Sequence, residues 1–82
     1  VGVQTHVCSS PISVAVSLQL EAAIPNFVIH EHHIANTTAV TINECVHNYQ
    51  PVNGYFEIPD LPGIGQELSD YALKHARIET VR

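Results

Sequence analysis

Apolar and polar positions in the first third of the chain form three blocks separated by turn residues. Val1–Val7, with valine at positions 1, 3 and 7, reads as a strand. Ser9-Ser10-Pro11 then reads as a helix start, with serine capping and proline at the first helical position. Ile12–Ala23 fits two periods. Ser13 to Glu21 nearly alternates, which suits a strand. Ile12, Ala15, Val16, Leu20 and Ala23 also lie broadly along one side of a helix. The cap, the length and the closing Leu20-Glu21-Ala22-Ala23 favour the helix, and Pro25-Asn26 ends it. Phe27–Glu31 is the second strand. Strand, helix and strand joined by short turns make a parallel βαβ unit. Such a unit is covered on both faces in folded proteins, so it needs neighbours.

After His33 the pattern weakens. Ile34–Asn48 is polar and threonine-rich, with a short helix expected near Ala39–Val46. Gln50-Pro51-Val52-Asn53-Gly54 is turn chemistry. Tyr55–Ile58 reads as a short strand, Pro59–Gly65 as a rigid loop punctuated by glycine, and Glu67–His75 as a last helix. No internal repeat is visible.

The run Pro25-Asn26-Phe27-Val28-Ile29-His30-Glu31-His32-His33 stands out, because an apolar strand ends in four ionisable residues. The first strand is built similarly and delivers His6. Strand ends are where α/β proteins place their chemistry. A zinc reading of the histidines fails on spacing. The helical metalloprotease motif needs histidines four apart, and the residue four after His30 is Ile34. On a strand, alternate side chains face opposite sides, so Glu31 parts from His30 and His32. Those histidines, with His33, then read as solvated or interface groups at a strand end. His6 is either a satisfied histidine or a general acid or base. Cys8 follows it, with no partner for a thiol nucleophile evident. Ser9 and Ser10 are accounted for by capping, Gly63-Ile64-Gly65 by a turn, and Glu44 and His47 by the surface.

Composition narrows the class. The chain has 82 residues, enough for one small domain or a piece of a larger one. Its apolar fraction of 45% is that of a folded protein rather than a disordered tail. Only 13% of residues are charged, about half the usual share, which points to surface buried against other protein. The net charge of −5, with Lys74, Arg77 and Arg82 as the only cations, argues against a nucleic-acid partner and a basic membrane-surface segment. No apolar run is long enough to span a bilayer. Cys8 and Cys45 form no disulfide framework and are expected as reduced thiols in a cytoplasmic protein. The chain opens mid-strand without a methionine or a signal peptide, as expected of a cut or processed end.

Four motifs, in order and at compatible spacing, carry a likeness. They are Thr5-His6-x-x-x-Ser10-Pro11-Ile12, Ile24-Pro25-Asn26-Phe27-Val28-Ile29-His30-Glu31, Pro51-Val52-Asn53-Gly54-Tyr55-Phe56 and Pro59-Asp60-x-Pro62-Gly63-Ile64-Gly65. The series resembles the C-terminal portion of the mandelate racemase/muconate lactonizing branch of the enolase superfamily, nearest to the mannonate, gluconate and galactonate dehydratases. The resemblance implies an α/β fold: the end of a (β/α)8 barrel, with its last two strands and the helix between them. Residues 1–49 would complete the barrel domain, and residues 50–82 would return to an α+β capping domain. The implied partners are the remainder of barrel and cap, a sugar-acid substrate and further copies of the full protein.

The resemblance also implies chemistry. Enzymes of this kind remove the proton α to a carboxylate, with Mg²⁺ stabilising the enediolate, and expel the 3-hydroxyl to give a 2-keto-3-deoxy sugar acid. His6 matches the strand-end histidine, a base or substrate ligand. Glu31 matches the strand-end carboxylate that binds substrate, and Ser10 is a candidate neighbour. The Mg²⁺ ligands are expected on upstream strands, none in this chain, so the 82-residue piece alone is expected to be inactive. Mannonate dehydratases usually carry an aspartate after this histidine, and Cys8-Ser9-Ser10 has none. That departure keeps a non-catalytic or regulatory homologue open. A small independent metal-binding module is a third reading.

Overall fold

The computed structural model describes all 82 residues. Strand β1 (Val3–Val7), helix α1 (Pro11–Ala23) and strand β2 (Phe27–His32) form the predicted unit, and the two strands pair in parallel. The helical reading of 11–23 holds because burial recurs at helical spacing. Pro11, Val14, Ala15, Leu18 and Glu21 are the buried residues of α1. The inward face is not the expected one, however. Val16 and Leu20 are about half exposed, and the helix is turned so that Ala15 and Leu18 meet the strands. Val7, Val14 and Leu18 form the core, with Tyr49 and Phe56 packed against it. Ser10 occupies the N-cap position of α1, but its side chain makes no capping hydrogen bond, contrary to the sequence reading. Pro11 at the start has no N–H to satisfy, which lowers the demand for a cap.

The strand register carries one irregularity. Val3 pairs with Phe27 and Gln4 with Ile29, so Val28 is an extra residue. It fits because position 2 is glycine. A Cβ there would lie 2.4 Å from Val28 Cγ2. Beyond the irregularity the pairs are Thr5 with His30, His6 with Glu31, and Val7 with His32.

The rest of the chain folds back over the unit in short pieces. After a 3₁₀ turn at Ile34–Thr37 come helix α2 (Ala39–Ile42) and helix α3 (Asp70–His75). Both helices are shorter than expected. Cys45 pairs with Leu68 across an antiparallel bridge, which takes residues 43–46 and 67–69 out of helical geometry. Ser69 then caps α3, its hydroxyl accepting from the Ala72 N–H at 3.2 Å. The expected strand at Tyr55–Ile58 does not form. Val52 and Tyr55 make a single antiparallel rung around Asn53 and Gly54, both at positive φ, the type I′ geometry of a tight hairpin. The chain then leaves so that Phe56 can pack inward. No helix is long and apolar enough to cross a membrane.

Gly65 fastens the Pro59–Gly65 loop. It is buried at φ 73°, and its carbonyl accepts from the Tyr49 hydroxyl. An added Cβ would sit 2.9 Å from Pro59 Cβ. Pro59 cannot yield easily, since its carbonyl accepts from Gln19 Nε2 of α1 at 3.2 Å. Gly63 has a similar φ of 64° but open space around it. Gly65→Ala is therefore expected to lower Tm clearly more than Gly63→Ala. The second change carries only the left-handed backbone cost of about 1–2 kcal/mol. Equal losses in thermal unfolding would show that the Pro59 contact is not tight.

Candidate active site

The two strands present two faces with different chemistry. Thr5, Val7, His30 and His32 face α1 and the tail that folds over it. By alternation Gln4, His6, Ile29 and Glu31 face the other way. The parity argument made from the sequence is therefore met: Glu31 leaves its flanking histidines. It meets His6 instead, its direct register partner across the parallel pair.

On that face the His6 Nε2 and Glu31 Oε1 atoms are 3.6 Å apart. This is an ion-pair distance when the imidazole is protonated, and too long for a hydrogen bond. The His6 side chain is 67% exposed and that of Glu31 50%, so both remain available to a ligand. Gln4 completes the group. Its Nε2 donates to Glu31 Oε2 at 2.9 Å, leaving the oxygen nearer His6 free of that bond. The sequence reading missed Gln4. The available signal was its position two residues before His6 on the same strand, which puts both on one face. An open groove of ≈ 410 Å³ runs beside His6, with Cys8, Ser9 and Ser13 on its walls. Ser10 does not line that groove. It sits half-buried at the start of α1.

The opposite face holds a buried polar chain. Glu21 of α1 and His30 are each 5% exposed at the side chain, with Glu21 Oε1 2.7 Å from His30 Nδ1. The Thr5 hydroxyl donates to the same carboxylate oxygen. His30 Nε2 lies 3.2 Å from His32 Nδ1, and His32 Nε2 lies 3.0 Å from Gln50 Oε1. Gln50 Oε1 can only accept, so His32 carries its proton on Nε2 and offers Nδ1 as an acceptor. Phe56 packs on both rings, with centroids 4.5 Å from His30 and 5.2 Å from His32. The expectation of solvated or interface histidines thus fails for His30 and His32, which fasten the tail to the strands. It holds for His33, which is exposed and accepts from the Ala35 N–H at the start of the 3₁₀ turn.

Both cysteines are free, Cys8 exposed and Cys45 buried. Burial, reinforced by the Glu44 charge, pushes the Cys45 thiol above its ordinary pKa, so it stays protonated and unreactive. Burial also raises the Tyr49 hydroxyl, in keeping with its role as donor to Gly65. No three His, Cys, Asp or Glu side chains converge as a metal-ligand set. These residues alone do not fit a catalytic cation.

The model of the enolase C-terminal domain-like family matches residues 1–72. No curated protein matches. Among solved structures, an enolase superfamily member from Salmonella Typhimurium is 51% identical. The match covers 99% of this chain and 21% of that one, with a TM-score of 0.92. A protein from Zymomonas mobilis ZM4, provisionally named a dehydratase, is 47% identical over 90% of this chain and 19% of its own, with a TM-score of 0.86. A provisionally named dehydratase from Salmonella enterica serovar Typhimurium is 51% identical over 89% and 18%, with a TM-score of 0.85. The chain spans about one fifth of the length of these proteins.

Proposed function

The chain belongs to the enolase C-terminal domain-like family, and from that premise we propose that it forms the C-terminal part of a Mg²⁺-dependent acid-sugar dehydratase. In this reading β1 and β2 are the last two strands of a (β/α)8 barrel, and the face opposite α1 looks into the barrel. Residues 1–49 belong to the barrel and residues 50–82 reach the capping domain. The observation that carries the proposal is the placement of His6 and Glu31. They are register partners on one face, at the C-terminal ends of parallel strands, where such folds hold substrate.

The roles follow from the groups. His6 Nε2 is the atom that takes or returns a proton at the substrate. Glu31, acceptor-only when ionised, receives hydroxyl groups of the sugar acid. Gln4 holds the carboxylate in place. Mg²⁺ in this reading is bound by upstream residues, and no step is assigned to it from this chain.

The test uses the intact protein with its upstream part, Mg²⁺ and a panel of aldonic acids. Formation of a 2-keto-3-deoxy acid supports the proposal. No such product from any aldonate sinks it. Given activity, Gln4→Leu is expected to lower kcat/KM by about tenfold. That is the equivalent of one hydrogen bond to a charged group, roughly 1.5 kcal/mol. Unchanged kinetics would mean that Glu31 is oriented by other groups.

A further inference from the structure

Asn36 is 2% exposed, and one of its two side-chain polar atoms has no protein partner. Its Nδ2 donates to the Val7 carbonyl at 2.8 Å and lies 3.4 Å from His32 Nδ1, an acceptor. These contacts fix the amide. Turned over, it would press Oδ1 against the Val7 carbonyl oxygen. Oδ1 must therefore point the other way, where no protein donor reaches it. Buried acceptors are rarely left so, because each unpaired one is costly.

Asn36 also lines a partly open pocket with ≈ 10 Å³ of room, walled by Pro11 and Val14 of α1, Thr41 of α2 and the 48–50 segment. That is the room one water molecule needs, about 10–15 Å³ for the centre of a water-sized sphere, and it admits nothing larger. The walls are polar enough to hold it. Thr41 offers a rotatable hydroxyl, and the N–H groups of Asn48, Tyr49 and Gln50 donate to no backbone carbonyl. We propose that one buried water occupies this cavity, donating to Asn36 Oδ1 and accepting from the Thr41 hydroxyl or a 48–50 amide.

The water would reinforce a junction that direct hydrogen bonds already make. Asn36 grips the carbonyl of Val7, the residue after His6. Gln50 Nε2 donates to the Asn36 carbonyl at 3.0 Å from the other side. The hydrated Asn36 thus ties the end of β1 to the first residues of the tail. This inference does not depend on the reaction proposed above.

Two measurements on the intact protein test it. A crystal structure that orders water is expected to show one peak within hydrogen-bond distance of Asn36 Oδ1 and of a second polar atom of the cavity. No peak, a flipped amide, or a protein donor seated on Oδ1 overturns the proposal. Val14→Ile separately adds a methyl group beside the cavity. With water present, the change displaces it, strands Oδ1 and lowers Tm. In a dry cavity the added methyl raises Tm, which also overturns the proposal. Val14→Ile placed on Asn36→Leu controls for crowding. With the acceptor gone, the loss is expected to vanish, whereas a loss of the same size in both backgrounds assigns it to overpacking and counts against the water.

Discussion

Under the proposed dehydratase reading, His6→Asn in the intact protein is expected to lower kcat on an aldonate by about 10²–10⁴-fold, the usual effect of removing a positioned acid or base. Asparagine keeps a polar group near the imidazole position but cannot carry the proton. KM should change much less, because in that reading Glu31 and upstream residues still hold the sugar acid. Glu31→Gln should show the opposite balance, with a raised KM, since an amide accepts fewer hydroxyl bonds and carries no charge. His33→Ala serves as the control. Its side chain only caps an exposed turn, so its kinetics should match the parent. If His6→Asn stays within a few fold of the parent on every substrate turned over, His6 is not the proton-carrying group. The residue would then fall back to the other reading of its sequence, a satisfied strand-end histidine.

The second large effect is on stability. His30→Leu is expected to cost about 3–5 kcal/mol, because it leaves the buried Glu21 carboxylate with only the Thr5 hydroxyl to meet it. Both side chains are 5% exposed and 2.7 Å apart, so the contact is made away from bulk solvent. Replacing both residues, Glu21→Leu with His30→Leu, should recover most of that loss, since no buried charge then remains. Denaturant unfolding of parent, two single variants and double variant closes the cycle. If the double variant loses as much as the two singles together, Glu21 and His30 are not coupled, and the polar chain to His32 and Gln50 is incidental.

Much of the architecture was legible because it follows from local chemistry. Pro11 and the Pro25-Asn26 break bound α1, and two short strands on either side of one helix dictate a parallel pair. Asn53-Gly54 specifies a tight turn. Other elements were not legible because long-range contacts override local preference. Residues 43–46 left the expected helix to pair with Leu68, and residues 55–58 left the expected strand as Phe56 turned inward to pack on the core instead of joining a sheet edge. The buried face of α1 was misread for a related reason. Val16 and Leu20 look like core residues, and Glu21 looks like surface. Yet Glu21 lies three residues after Leu18 on the inward side and is tolerated there only because His30 meets it. A charge at a core spacing, with a histidine on the next strand, was the available signal.

By itself the sequence determined that His6 and Glu31 end two adjacent strands and that Glu31 must point away from its neighbouring histidines. Both follow from the strand pattern and its period of two. It could not decide that the two residues meet. Simple pairing from Val3 with Phe27 would set His6 against His30 and Val7 against Glu31. The extra residue at Val28, accommodated by the missing side chain of Gly2, moves the register by one and brings Glu31 opposite His6. A one-residue shift changes every pair beyond it. Only packing in three dimensions could choose between the two registers.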